Sequence, residues 1–264
     1  MGLRDVFKFR DLPESDTSKP FLEHLEDLRW TIVKMAITLL AAMVLCFFFR
    51  NWLVQVMQRP LGVVDPSVGA LRALAITDSF TISFRLAFYA GIVVSFPILL
   101  YFLAEFVLPA LTAMEKRFLF PAIVVSFGLF LTGVLTAYYW LLPKTILFFF
   151  RDTQGLGWVP AWTVQEYYAF VTRFTIAFGL AFELPVVVLA LVRLGFISYE
   201  FMTRTRPYSI VLMFVFATII SPTPDVLTMI AMALPMCLLY ESCIWITWFA
   251  QRKQNRAAID QRHG

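Results

Sequence analysis

Between Thr31 and Phe249 the chain passes through six apolar segments, and their length constrains the fold more than any other feature. They fall at 31–49, 80–106, 118–142, 166–192, 208–220 and 226–249. Lipid offers a backbone no hydrogen bonds, so only helices or closed barrels cross it, and these runs are far too long for barrel strands. The expected fold is therefore an all-α membrane protein with six transmembrane helices. A polar head at 1–30, one helical domain at 31–249 and a tail at 250–264 complete the chain. Only 15% of the residues are charged, whereas soluble domains carry roughly 25%. The 28 Phe and seven Trp suit a lipid-facing surface with aromatic anchors at its edges. Met1 to Pro20 is polar and lacks the apolar core of a cleavable signal peptide.

Lys and Arg set the expected orientation. With both ends on the cytoplasmic side, the inside segments carry 14 of the 22 basic residues and the outside segments carry five. The outside five are Arg50, Arg59, Arg72, Lys144 and Arg151; Lys34, Arg85 and Arg173 lie within the drawn helices. An excess of that size places both termini in the cytoplasm by the positive-inside rule.

The helices are unequal. The second apolar run, at 80–106, is 27 residues and about 40 Å long, beyond the roughly 30 Å hydrocarbon core. The fifth, at 208–220, is 13 residues and about 20 Å, too short to cross it. The sixth reads longer, but Pro235 interrupts it and it starts directly after the turn Ser221-Pro-Thr-Pro-Asp225. The fifth and sixth are thus expected to be the short members of a cupped, concave bundle. On the outer side, Asn51 to Leu61 has apolar residues at 52, 53, 56 and 57 opposite Gln55, Gln58 and Arg59. That pattern predicts an interfacial amphipathic helix ended by Pro60. Trp158, Trp162 and the stretch from Val164 to Tyr168 add a second outer surface. The two could form a cap over the helix tops or serve as ordinary interfacial anchors.

In the run from Phe174 to Val192 the only ionisable residue is Glu183. An acid there costs on the order of 2.5–3.5 kcal/mol without a partner or water. Pro185, two residues on, removes a backbone donor and clashes with the carbonyl of Ala181, so the acid sits beside a kink. Two readings follow: a polar point facing a cavity or partner helix, or a protonated glutamate bonded to a neighbour for packing.

Catalytic motifs are absent: there is no HExxH, no GxSxG and no Gly-rich phosphate loop. The two histidines, His24 and His263, lie near opposite ends, and Cys46, Cys237 and Cys243 read as small buried hydrophobes. No enzyme, metal or cofactor is expected. On the basic inner face, however, acids recur in Glu23-His24-Leu25-Glu26-Asp27-Leu28-Arg29 and in Leu108 to Arg117, which contains Glu115. Carboxylates there suit a guanidinium ligand, which they bind bidentately. They equally suit neutralisation of neighbouring arginines, where surface pairs contribute about 0–1 kcal/mol.

Eight stretches, in order, resemble the TatC family, the core receptor subunit of the twin-arginine protein translocase. They are His24 to Arg29; Gln58-Arg59-Pro60-Leu61; Thr77 to Phe80; Glu105-Phe106 through Arg117; Ala181 to Pro185; Arg206-Pro207-Tyr208; Ser221 to Asp225; and Pro235 through Leu239-Tyr240-Glu241. The resemblance covers about Phe21 to Phe249. It implies binding of twin-arginine signal peptides of folded precursors, transport driven by the protonmotive force, and oligomeric complexes with single-span TatB and TatA in the bacterial cytoplasmic membrane. It further implies that Glu115 is the main carboxylate for the twin arginines, with Phe106 nearby, Asp27 the second acid and Arg29 in the same motif. Glu183 corresponds to the family's intramembrane acid in the concave face. The fifth and sixth helices correspond to docking sites for partner helices, so Pro60, Arg206, Pro207, Tyr208, Ser221, Asp225, Met229, Tyr240 and Glu241 carry structural or partner-binding roles.

Four positions depart from the family pattern. Asp27 and Asp78 stand where Glu is usual, Thr31 where a second basic residue is usual, and Met229 where many members have Gln. The alternative function, an ion-coupled small-solute transporter using Glu183, calls for matching broken helices in two halves. No such symmetry relates 31–142 to 166–249.

Overall fold

The computed structural model describes residues 21–64, 71–107, 113–220 and 225–263. Among them the regular structure is helical: α1 (Phe21–Phe48), α2 (Arg50–Val64), α3 (Asp78–Val107), α4 (Ala113–Thr136), a π turn (Ala137–Leu141), α5 (Leu142–Gly155), α6 (Val164–Ala181), α7 (Leu184–Arg193), α8 (Tyr199–Arg204), α9 (Arg206–Ile220) and α10 (Val226–His263). Five stretches are long and apolar enough to cross a membrane: His24–Phe48, Asp78–Val107, Leu119–Gly155, Val164–Arg193 and Val226–Phe249. The shorter apolar helix Arg206–Ile219 accompanies them. The chain is a multi-pass membrane protein.

Several boundaries move, each for a local reason. The first helix starts at Phe21, so the acidic His24 to Arg29 stretch is helical and forms its opening turns. Pro60 does not end α2, which continues to Val64. Pro60 has no N–H to give the carbonyl of Val56, four residues back; the hydroxyl of Tyr138 donates to that carbonyl instead. Tyr167 and Tyr168 donate to the carbonyls of Met57 (2.9 Å) and Val54 (3.3 Å). Three tyrosines thus hold α2 down on the bundle, and the cap reading of the outer surface gains a mechanism. The third span does not stop at 142. It runs on as α5 to Gly155 through the π turn, directly before Pro143, whose ring and missing donor a regular helix could not accommodate.

The fourth run breaks as Pro185 requires. Phe182 and Glu183 form a turn between α6 and α7, with Pro185 in the first turn of α7. α9 is 15 residues, about 22 Å, and is short as expected. The expectation of a short sixth helix is corrected: α10 runs unbroken for 38 residues, 24 of them in its apolar part. Pro235 lies inside this one helix without ending it. The 193–207 connection contains α8, capped by Ser198, whose hydroxyl accepts from the Phe201 N–H at 3.1 Å.

α6 is the hub: eleven of its eighteen residues are buried, so neighbours must approach it closely on most sides. Glycines allow this. A methyl group on Gly179 would lie 2.7 Å from the Phe130 ring of α4, and one on Gly133 would lie 2.8 Å from the carbonyl oxygen of Phe178. Gly91 of α3 brings the α1 backbone at Met43 equally near. Small residues at crossings are how helices associate when lipid is as apolar as their side chains. Phe96 and Phe130 stack at 3.7 Å between α3 and α4. Thr172 and Thr175 bond back to the carbonyls of Tyr168 and Val171, which satisfies both buried hydroxyls.

Candidate functional site

At the end of the bundle where α1 begins, α1 and the end of α3 meet through an aromatic contact. His24 stacks on Phe106 with centroids 4.6 Å apart and planes 17° from parallel. Asp27 follows three residues after His24 and therefore shares its helix face; it is half-buried. Its carbonyl accepts the Thr31 hydroxyl at 2.8 Å. Thr31, the residue departing from the usual basic one, is thereby turned inward and buried. Arg29 is exposed. Lys34 reaches back towards this end, as helical side chains do, placing its ammonium 3.4 Å from Glu105 and 5.8 Å from the Phe102 ring centre. Sequence reasoning left Lys34 unassigned. It extends from within a span to a carboxylate at the span's end.

Glu115 falls in the first turn of α4, where a carboxylate is favoured by the positive end of the helix dipole. Its side chain, and the connecting residues 108–112, lie outside the described residues. Two carboxylates, an exposed arginine and a stacked aromatic pair thus belong to elements that converge at one end of the bundle. Chemically, such an end can bind guanidinium groups and an adjoining apolar segment.

Glu183 occupies the α6–α7 break, and the hydroxyl of Ser126 on α4 donates to its Oε2. Its Oε1 is buried with no partner among the described residues. The break leaves the polar group within apolar stretches: Glu183 lies in Val164–Arg193 and Ser126 in Leu119–Gly155. Ser126 had no sequence signal; a serine in an apolar helix is unremarkable until its neighbour is known.

The residues expected to hold partner helices divide. Arg206 and Glu241 form an ion pair at 2.9 Å, joining the start of α9 to α10. The Tyr240 hydroxyl accepts from Ser209 at 3.0 Å and donates to the Met202 carbonyl at 3.3 Å, tying α8, α9 and α10 together. Pro207 sits in the first turn of α9, where proline costs nothing. Asp225 caps α10, its Oδ1 accepting from the Thr228 N–H at 2.7 Å. Met229 is half-buried against the core. Tyr208 is 75% exposed and available to lipid or a partner. Ser221 lies outside the described residues.

At the end of the bundle away from His24 the structure assembles a site that the sequence only hinted at. Asp78 is buried, and its carboxylate accepts from the N–H groups of Leu74 and Ala75, both at 2.9 Å, and from Gln165 at 2.7 Å. Beside it Arg72 pairs in parallel with Thr163, its N–H bonding to Trp162 O at 3.2 Å and its carbonyl accepting from Val164 at 3.0 Å. Thr163 caps α6: its hydroxyl accepts from the Glu166 N–H at 3.2 Å and donates to the Glu166 carboxylate at 2.8 Å, a Thr-x-x-Glu signal present in the sequence.

Comparison with known proteins gives a consistent answer. A family model described as Sec-independent protein translocase protein (TatC) matches residues 23–235. A TatC of Akkermansia muciniphila is 45% identical over 177 residues, which is 67% of this chain and about half of that relative's length (51%). The TatC of Aquifex aeolicus is 34% identical over 240 residues, covering 89% of this chain and 97% of its own. A crystal structure of the twin-arginine translocase receptor TatC in DDM superimposes with a TM-score of 0.77 at 33% identity, covering 85% of this chain and 99% of the other.

Proposed function

The chain belongs to the TatC family of Sec-independent protein translocases, and from that premise we propose that it is the signal-peptide receptor and organising scaffold of a twin-arginine translocase. The family is one of translocase components and not of catalytic enzymes. The small-solute transporter alternative is not favoured, because each comparison leads to protein translocation.

In this reading Asp27 and Glu115 pair with the two guanidinium groups of the signal peptide, while Phe106 and the stacked His24 flank its apolar continuation. The carrying observation is that His24, one turn from Asp27, stacks on Phe106, seven residues before the start of α4, whose first turn holds Glu115. That end is cytoplasmic, as is the α10 tail beyond Phe249, in keeping with the Lys and Arg distribution. The segments 1–30 and 250–264 therefore flank one membrane domain in the bacterial cytoplasmic membrane. Single-span TatB and TatA subunits dock along α9 and α10, where the short α9 leaves a shallow flank. Glu183 acts after docking, as a polar point deep in the concave face.

The test is photo-crosslinking of a twin-arginine peptide from positions 27, 106, 115 and 183 in membranes. Crosslinks at 27 and 106 are expected to vanish in Glu115→Ala, while the variant still co-purifies with its partner subunits. Peptide crosslinking at the native level in that variant would sink the assignment.

A further inference from the structure

At the opposite end of the bundle from His24, three elements enclose a cavity of about 540 Å³ that the translocase reading does not use. It lies between α2, the start of α3 and the start of α6, and its size is within the range of small-ligand clefts. One face of α2 supplies Arg50, Asn51 and Gln58, with Ser79 of α3 opposite. No carboxylate lines it among the described residues. The nearest acid in sequence, Asp78, already accepts three hydrogen bonds from Leu74, Ala75 and Gln165.

The wall donors divide into used and unused. The Ser83 hydroxyl is given to the Ser79 carbonyl and that of Tyr168 to the Val54 carbonyl. The side chains of Arg50, Asn51 and Gln58, by contrast, make no hydrogen bond to another described residue, and Arg50 and Asn51 are exposed. A cation plus two amides facing an acid-free hollow is an anion site by composition.

Its surroundings say which anion. Arg50 lies 5.5 Å from the centre of the Phe47 ring, and Phe47, Phe80 and Phe84 form a continuous aromatic ridge with centroids 5.0 to 6.5 Å apart. Phe48 (80% exposed) and Trp52 (60%) stand two residues before and after this arginine in the chain. Aromatics in this density mark the boundary between hydrocarbon and headgroups. The cavity thus opens at the depth of lipid phosphates, with apolar surface leading away from it. We propose that it holds the phosphate of a phospholipid from the leaflet at that end, with Arg50 as the charged contact, Asn51 and Gln58 as neutral donors, and the acyl chains along the Phe47–Phe80–Phe84 ridge.

Native mass spectrometry of the purified full chain, titrated with phosphatidylglycerol, tests this. One lipid per chain is expected to persist at collision energies that strip the rest, and dioleoylglycerol, which lacks the phosphate, is expected not to persist. Arg50→Gln should weaken that retention by about tenfold or more, as for loss of a charged hydrogen bond, and Arg50→Lys should restore part of it. Lys144→Gln removes another outer cation, one resting 3.9 Å over Trp140, and should change nothing. Equal retention by Arg50→Gln, or by dioleoylglycerol, would overturn the site. Displacement of the lipid by glycerol phosphate at matched concentration would overturn its assignment to a membrane lipid. Should Arg50→Gln misfold, the Asn51→Ala, Gln58→Ala double variant carries the same expectation of weakened retention.

Discussion

A carboxylate within lipid needs a donor, and at the scale of single residues Ser126 is what Glu183 has. Its second oxygen remains buried and unpartnered among the described residues, a state that costs free energy unless something else is delivered there. We expect Glu183→Ala to leave surface docking of a signal peptide intact while impairing export of a folded reporter. Ser126→Ala should act in the same direction but less strongly. Loss of docking in either variant, measured by peptide crosslinking at position 27, would move Glu183 into the primary site. A second residue-scale prediction concerns Tyr138. Removing its hydroxyl in Tyr138→Phe leaves the Val56 carbonyl, already deprived of its helical donor by Pro60, without a partner. A destabilisation of about 1–3 kcal/mol is expected, readable as a lowered midpoint of thermal unfolding in detergent.

Among elements, α6 determines what the others can do. Because Phe130 of α4 packs on Gly179 and Phe178 of α6 packs on Gly133, α4 and α6 cross with no room for a side chain. Gly179→Val should therefore force the helices apart or off-rotamer, at a cost of about 1–3 kcal/mol, and should separate Ser126 from Glu183. Cysteine crosslinking between positions 126 and 183 would report that separation; native crosslinking efficiency in the valine variant would show that the crossing tolerates bulk. Pro60, Pro143 and Pro185 illustrate how element boundaries can be misjudged. Each removes a donor in the same way, yet Pro185 breaks its helix, Pro143 follows a π turn and Pro60 is simply bridged. At Pro60 the freed carbonyl of Val56 is taken up by Tyr138, 82 residues away, which no local rule contains.

For the whole molecule, unequal helix lengths are the governing fact. α3 spans 30 residues and α9 only 15, or about 45 Å against about 22 Å. One flank is therefore shallower than the bilayer core, which must thin there or be sheltered by protein. If partner helices dock on that flank, extending α9 by four apolar residues after Ile219 should weaken co-purification with a single-span partner subunit and leave peptide crosslinking at 27 in place. Undiminished co-purification would show that the short helix is not what the partner reads.

The apolar spans themselves, the break at Pro185 and the shortness of α9 were legible in the chain, whereas the acidic His24 to Arg29 stretch reads as lying ahead of the first helix and forms its opening turns. The legible features depend on residues within one or two turns, and lipid penalises any alternative backbone state. The length of α10 and the course of α5 were misjudged, because Pro235 and Pro143 suggest an end that packing does not enforce. What only the tertiary structure decided is which polar groups meet. Ser126 and Glu183 are 57 residues apart, Tyr138 and Val56 are 82, and Gln165 and Asp78 are 87. Such pairs follow from how helices cross, at Gly133, Gly179 and Gly91, and crossing is a property of two surfaces together, which neither sequence segment specifies alone.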